Sequence, residues 1–245
     1  GQALAYAREI MDKLNWDAAT PPGHGAAPAF AAEELMGIVP ADEKTPYDVK
    51  EIVARIADAS DFLEFKARYG SETVCGHARI GGQLVGIIGN NGPIQPEGST
   101  KAGQFIQLCD QSNTPLLFLQ NTTGYMVGSR AEREGAIKHG SKMIQAVANC
   151  RVPKVAIVIG GSYGAGNYAM CGRGLDPRFI FAWPNSRTAV MGPAQAGKVM
   201  RIVAEDKQRR GGMEPDPKTL DFLEQATAKK LEEGSTALFG TARLW

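Results

Sequence analysis

Residues 160–170, GGSYGAGNYAM, follow the apolar run VAIVI (155–159) and lead into a helical pattern. Glycines at such a junction let the chain turn sharply and let a ligand reach the main chain. A helix that starts there leaves backbone N–H groups without intrahelical partners, and they point at whatever occupies the turn. Donors so placed stabilise a carbonyl oxygen that is becoming an oxyanion. Three other chemistries share some of these letters. A Walker A loop requires GKS or GKT at the helix start, which this segment lacks. A dinucleotide fingerprint requires GxGxxG; Gly164-Ala165-Gly166 meets only its first part, with Ala169 where the third glycine belongs. Gly160-Gly161-Ser162-Tyr163-Gly164 does fit GxSxG, the nucleophile elbow. A hydrolase in that order needs a histidine after Ser162, whereas His24, His77 and His139 all precede it. On the residues alone, an oxyanion site and a turn that merely packs a helix on a sheet both stay open.

Two further segments could join the first. Residues 121–128 (NTTGYMVG) end a second apolar run, TPLLFLQN (114–121). In parallel α/β folds ligands sit beyond the carboxyl ends of strands. Two strands that each end in a glycine-containing loop could therefore bring two N–H donors to one point, although a plain strand-to-helix loop explains 121–128 equally well. Residues 183–192 (WPNSRTAVMG) offer Trp, Pro and Met that packing alone accounts for. Glu132 and Glu134 are the carboxylates that a hydratase or isomerase could use, but acidic residues at a solvated helix start need no catalytic role. The four cysteines, Cys75, Cys109, Cys150 and Cys171, form no CxxC pair, which argues against a disulfide framework or a zinc site and for reduced, buried thiols in a cytoplasmic enzyme. No metal is expected.

The elements that must position these segments alternate. Helical spacing marks 2–15, with a Pro/Gly-rich linker at 20–28. Short helices are expected at 48–57 and 61–68, the second capped by Ser60. Strands are expected at 73–80 and 83–90 around Gly81-Gly82. A helix over 99–113 should turn Phe105, Leu108 and Cys109 inward. Then come a strand at 114–121, a helix over 132–148 burying Ile137, Met143, Ile144 and Val147, and a strand at 152–159 before the glycine turn. Short strands at 178–182 and 188–191, a helix at 194–204, a break at 206–217 and an amphipathic helix at 218–233 complete the chain. Buried strands alternating with helices make an α/β fold built from crossover units.

The chain has 245 residues, 43% of them hydrophobic, and a formal net charge of +1. That supports a large buried core and gives no electrostatic reason to expect nucleic acid or a membrane surface as partner. No apolar stretch has membrane-spanning length. The absence of an initiating Met, directly before a helical pattern, reads as a fragment or second half of a longer polypeptide.

Taken together, YDVKEIVARI, PLLFLQNTTGYMVG, VPKVAIVIGGSYGAGNYAMCGR, PRF and WPNSRTAVMG resemble, over residues 47–203, the carboxyltransferase subunit of biotin-dependent acyl-CoA carboxylases. The resemblance implies the crotonase (ClpP/crotonase) fold with repeated ββα units. It implies a preceding-domain helix and linker at 1–46, and at 47–245 the C-terminal, biotin-facing domain, which the family continues beyond ARLW. The details of 160–170 and 121–128 look like the group that acts on branched enoyl-CoA thioesters, geranyl-CoA and 3-methylcrotonyl-CoA. Thr123, Tyr125 and Ile94-Gln95-Pro96 depart from methylcrotonyl enzymes and lean towards geranyl-CoA. The implied reaction moves a carboxyl group from carboxybiotin, carried on a partner subunit, to the γ carbon of the enoyl-CoA, with the cofactor supplying the base. Carried over by position, Gly164 and Ala165 offer the backbone oxyanion donors to biotin. Gly124, Tyr125, Tyr163, Gly166 and Asn167 bind around it. The implied partners are a biotin carboxylase/biotin carrier α subunit and further copies in a hexameric core, in the cytoplasm or, in a eukaryote, the mitochondrial matrix. A crotonase-type hydratase or isomerase, or a non-catalytic assembly core, are the competing readings.

Overall fold

A computed structural model describes residues 2–13, 24–40 and 45–243. The remainder of the expected 2–15 helix and 20–28 linker lies outside the described residues. The helix α1 (Gln2–Asp12) buries none of its residues. After α2 (Leu35–Ile38), the helix α3 (Val49–Ile56) starts where the Asp48 carboxylate accepts the Lys50 N–H at 3.0 Å.

Residues 61–68 are not helical. They hold the short strand β1 (Leu63–Glu64) and a turn in which Lys66 has φ +50°. Ser60, expected as a cap, sits at φ +56° and uses its hydroxyl to accept from the Ala29 N–H and donate to the Ala54 carbonyl. Apolar spacing over eight residues cannot tell a helix from this strand and turn.

Strands β2 (Thr73–Ile80) and β3 (Gln83–Asn90) form the expected hairpin, with Gly81 and Gly82 both at positive φ, the conformation a two-residue hairpin turn requires. The helix α4 (Pro96–Gln111) opens on a proline whose missing N–H would have had no helical partner. It buries Phe105 and Cys109, while Leu108 is 40% exposed, contrary to expectation. Strand β4 (Leu116–Thr122) comes next. The single helix expected over 132–148 is two, α5 (Ser129–Arg133) and α6 (Ala136–Asn149), divided at Gly135, which is left-handed at φ +88°. Ile137 is 81% exposed because it lies off the face of α6 that carries Ala136, Gly140, Met143 and Val147; Met143 and Val147 are buried as expected, and Ile144 is half-buried.

Strand β5 (Lys154–Tyr163) runs four residues further than expected, through both glycines and Ser162, and α7 (Gly164–Ala169) begins directly after it. Thus 160–163 are strand, and the turn itself is at Gly164. Strands β6 (Phe179–Ala182) and β7 (Arg187–Ala189) precede α8 (Pro193–Arg210), α9 (Pro217–Ser235) and α10 (Ala237–Thr241). The expected break at 206–217 is shorter, because α8 continues to Arg210. α8 and α9 approach closely where Gly197 would place a Cβ 2.6 Å from the Glu224 carbonyl oxygen.

The strands form one sheet in the order β1-β2-β3-β4-β5-β6, with β7 also paired to β5. β1–β3 are antiparallel; β3, β4, β5, β6 and β7 are joined in parallel. One face is covered by α3, whose Val49, Ile52 and Val53 meet Val74, Ile87, Leu119 and Ile159. The other face carries α4 and α6, with Phe105, Ile106, Met143 and Val147 packed over Ile88, Phe118 and Ala156. The hairpin-plus-helix β2-β3-α4 and the parallel strands after it make the mixed α/β architecture expected of the crotonase fold. All four cysteines are free and buried, and no group of metal-ligating side chains assembles among the described residues. No helix among them is long and apolar enough to cross a membrane.

Candidate functional site

The site starts from an irregularity in β5. Gln120 of β4 pairs with Val158, but Thr122 pairs with Ser162, so β5 uses three residues where β4 uses one. Such a bulge bends the strand and re-aims the residues beyond it. Two glycines fit there for a steric reason. A Cβ on Gly160 would lie 2.2 Å from Asn121 Oδ1, and one on Gly161 would lie 2.9 Å from the Tyr163 ring. At the bulge β5 also changes neighbour: Val155–Val158 pair with β6, and Gly161–Tyr163 pair with β7.

Beyond the bulge the two glycine loops meet. A Cβ on Gly166 would be 2.8 Å from Gly124 Cα, and one on Gly124, itself at φ +116°, would be 3.5 Å from the Tyr163 carbonyl oxygen. Backbone touches backbone here, which only glycine allows. The loop is held from its other side by Ile94, which donates its N–H to Gly124 O at 2.9 Å and accepts from the Met126 N–H at 2.8 Å. Gly164 turns the chain at φ +56°, with its Cβ position 3.1 Å from the Val190 carbonyl. The N–H groups of Gly164, Ala165 and Gly166 open α7 and lack intrahelical acceptors.

Gly164, Ala165 and Asn167 border a cavity of about 620 Å³ between the fork of β6 and β7, α7 and the α9–α10 junction, lined mainly by apolar groups including Val158, Ile180 and Phe181. Ala165 is exposed, Gly164 half-buried and Gly166 buried. Of the other expected site residues, Gly124 and Tyr125 approach the turn through the loop, whereas their side chains, or lack of one, serve packing. The Tyr125 hydroxyl donates to the Gly140 carbonyl at 3.1 Å, and burial raises its pKa well above the usual phenol value. Tyr163 is 4% exposed and does not border the cavity.

Ser162 is fully buried. Its hydroxyl donates to Gln120 Oε1 at 2.6 Å and accepts from Asn167 Nδ2 at 2.9 Å. A hydroxyl so occupied, with no histidine beside it, is not a nucleophile. Glu132 on α5 and Glu134 directly after it are exposed, and Glu134 pairs with Arg130 at 2.9 Å. They are solvated carboxylates and lie outside the cavity lining. Sequence reasoning misses Gln120, which reads as one more residue of a buried strand, and the contribution of α10. It singles out 183–192 without a role; Thr188, Ala189 and Val190 of that segment line the cavity.

A family model described as the carboxyl transferase domain matches residues 1–242. The beta subunit of geranyl-CoA carboxylase from P. aeruginosa is similar in structure, with 67% identity and a TM-score of 0.85 over 98% of this chain and 46% of that one. Transcarboxylase 12S, solved as a hexamer assembly with hydrolysed methylmalonyl-coenzyme A bound, matches with 33% identity and a TM-score of 0.77 over 91% of this chain and 42% of that one. A probable mitochondrial methylcrotonoyl-CoA carboxylase beta chain of Drosophila melanogaster is 48% identical over 98% of this chain and 42% of that protein. The chain therefore spans about half the length of the relatives it matches. With the family model covering almost its whole length, and the glycine loops placed as above, the chain belongs to the carboxyl transferase family.

Proposed function

We propose that this chain is the biotin-facing half of the carboxyltransferase subunit of an acyl-CoA carboxylase, and that the complete subunit carboxylates a branched enoyl-CoA, geranyl-CoA in the first instance. The observation that carries the site is the meeting of Gly124 and Gly166 beside a cavity into which the segment Gly164-Ala165 opens. The choice of geranyl-CoA over 3-methylcrotonyl-CoA is supported by the 67% identity to the geranyl-CoA carboxylase subunit, against 48% to the Drosophila methylcrotonoyl-CoA carboxylase chain.

The residues present fit a biotin ring system. The cavity is large enough for a bicyclic ligand, is mostly apolar, and offers backbone donors where a side chain would intrude. When bound, carboxybiotin supplies the carboxyl group and, at its ring nitrogen, the base. The chain's own part is to hold the Gly164 and Ala165 N–H groups fixed towards an oxygen that gains negative charge, in a cavity walled by Val158, Ile180 and Phe181. Gly124 and Gly166 set the loop spacing. Tyr163 supports the turn from behind, Asn167 borders the cavity with its amide tied back to Ser162 and Gln120, and no side chain of this chain acts as general base. In this reading residues 1–46 connect to a domain that binds the thioester, and the subunit works in a hexameric core with a biotinylated α subunit.

The test is Ala165→Val in the full-length subunit. Transfer to geranyl-CoA should be abolished while the α subunit's ATP-dependent carboxylation of biotin persists; normal transfer would remove Ala165 from the site. Comparing geranyl-CoA with 3-methylcrotonyl-CoA in the unsubstituted enzyme decides the substrate.

A further inference from the structure

Gln120 is fully buried, and its carboxamide makes every one of its bonds to another element. Oε1 accepts from Ser162 Oγ at 2.6 Å and from Asn167 Nδ2 at 3.3 Å; Nε2 donates to the Met170 carbonyl at 2.7 Å. Asn167 Nδ2 also donates to Ser162 Oγ at 2.9 Å, which closes the set. Its four members come from the end of β4, the end of β5, the middle of α7 and the residue that caps α7. A six-residue helix makes too few internal hydrogen bonds to fix its own axis. The forces that fix α7 must come from outside it, and this network grips the chain both before the turn at Gly164 and after the helix at Met170.

We propose that Gln120 is a positioning residue for carboxyl transfer: it holds α7 by both ends, so that the Gly164-Ala165 segment keeps its aim at the cavity while Gly166 stays against Gly124. This rests on the site assignment of the preceding subsection. The residue type is dictated by the geometry. The position needs an acceptor towards β5 and a donor towards a helix carbonyl within one side chain, and a carboxamide supplies both. Glutamate would supply only acceptors and bring a charge into a buried layer. Methionine has the same reach and neither function; it leaves the Met170 carbonyl and the Ser162 hydroxyl proton without their Gln120 partner, and Asn167 with only its bond to Ser162. The residues that would then be unpaired lie on the two segments whose relative position defines the site.

The experiment compares the unsubstituted full-length subunit with Gln120→Met and Ser162→Ala. Hydrogen exchange read by mass spectrometry should show the amides of 164–170 opening on the order of tenfold faster in Gln120→Met, with the β2–β3 hairpin unchanged. With the biotinylated partner, kcat should fall on the order of 100-fold with KM for the acyl-CoA unaltered, because misplacement of a held group is felt in the reacting state. Ser162→Ala, which removes one arm of the network, should move both readouts in the same direction by less, and it carries the test if Gln120→Met does not fold. Unchanged exchange over 164–170, or raised exchange with an unaltered kcat, would overturn the proposal. Failure of the carboxyltransferase assignment would show differently, as absence of transfer by the unsubstituted subunit. The exchange measurement then still decides whether Gln120 holds α7.

Discussion

Gly166→Ala isolates the contact on which the proposed site rests. Alanine in place of glycine inside a helix ordinarily stabilises by up to about 1 kcal/mol, and Gly166 lies in α7 outside the positive-φ region. The added methyl, however, would stand 2.8 Å from Gly124 Cα and 3.2 Å from Thr122 Cγ2. Carbon–carbon contact is comfortable from about 3.5 Å, so one loop must retreat by roughly 0.7 Å. The nearest neighbour is backbone, so no rotamer change relieves it. Overpacking of this kind costs about 1–3 kcal/mol, which leaves a net loss of up to about 2 kcal/mol after the helical gain. Gly103→Ala is the control. It is also a buried helical glycine, but its Cβ would find Met143 Cα at 3.6 Å, an ordinary contact. That variant should gain about 0.5–1 kcal/mol. Urea unfolding of the two variants gives the stability difference, and carboxyl transfer by the full-length subunit should fall on the order of 100-fold in Gly166→Ala alone. If Gly166→Ala is stabilised like Gly103→Ala and transfers at the normal rate, the closeness of the loops has no bearing on the chemistry.

Two further outcomes concern groups outside the site. His77 lies 3.7 Å from Cys109 Sγ and 5.0 Å from the Phe105 ring centre; burial, then the charge of Lys13, lower its pKa to about 4. The folded protein thus prefers the neutral imidazole, and the stability present above pH 6.5 is lost as pH falls towards 4. Between about pH 7 and 5 the loss should be about 1–2 kcal/mol in urea midpoints, and a His77→Gln variant with the same loss would remove His77 as its source. The Asp58 carboxylate accepts from the Gly81 N–H at 2.9 Å and the Gly82 N–H at 2.6 Å, so it braces the hairpin turn from outside. Asp58→Ala should cost about 1.5–3 kcal/mol by calorimetry, with Asp58→Asn recovering part; a neutral Asp58→Ala would show that the turn glycines need no brace.

The features legible in residues alone divide from the rest along physical lines. The β2–β3 hairpin is legible to the residue, because a Gly-Gly pair between two alternating runs can supply the positive φ that a two-residue hairpin turn needs. The family is legible because several segments recur together; the glycine segment alone leaves an oxyanion site and a packing turn both open. Local pattern fails where a distant contact decides. Nothing within 61–68 announces that Leu63 and Glu64 pair with His77 and Gly76. Nothing within 132–148 except Gly135 signals that the helix restarts. The double glycine at 160–161 has the composition of a turn, yet it accommodates Asn121 and the Tyr163 ring inside a bulge. Gln120 is invisible to local pattern, since a buried polar residue in an apolar strand reveals its use only when its partners, 42 to 50 residues away, are located.

The change of neighbour along β5 gives the cavity an unusual kind of wall. β6 is joined to β5 only through Val155–Val158 and β7 only through Gly161–Tyr163, with residues 183–186 spanning the gap. The opening is therefore a fork in a sheet, bounded by two short arms that share a stem and do not share hydrogen bonds with one another. Val158, the last residue of β5 paired with β6, is part of its lining. Descendants of such a chain could resize the opening by editing that connection or either arm, while the stem, the bulge and the glycine contact beyond it keep their register.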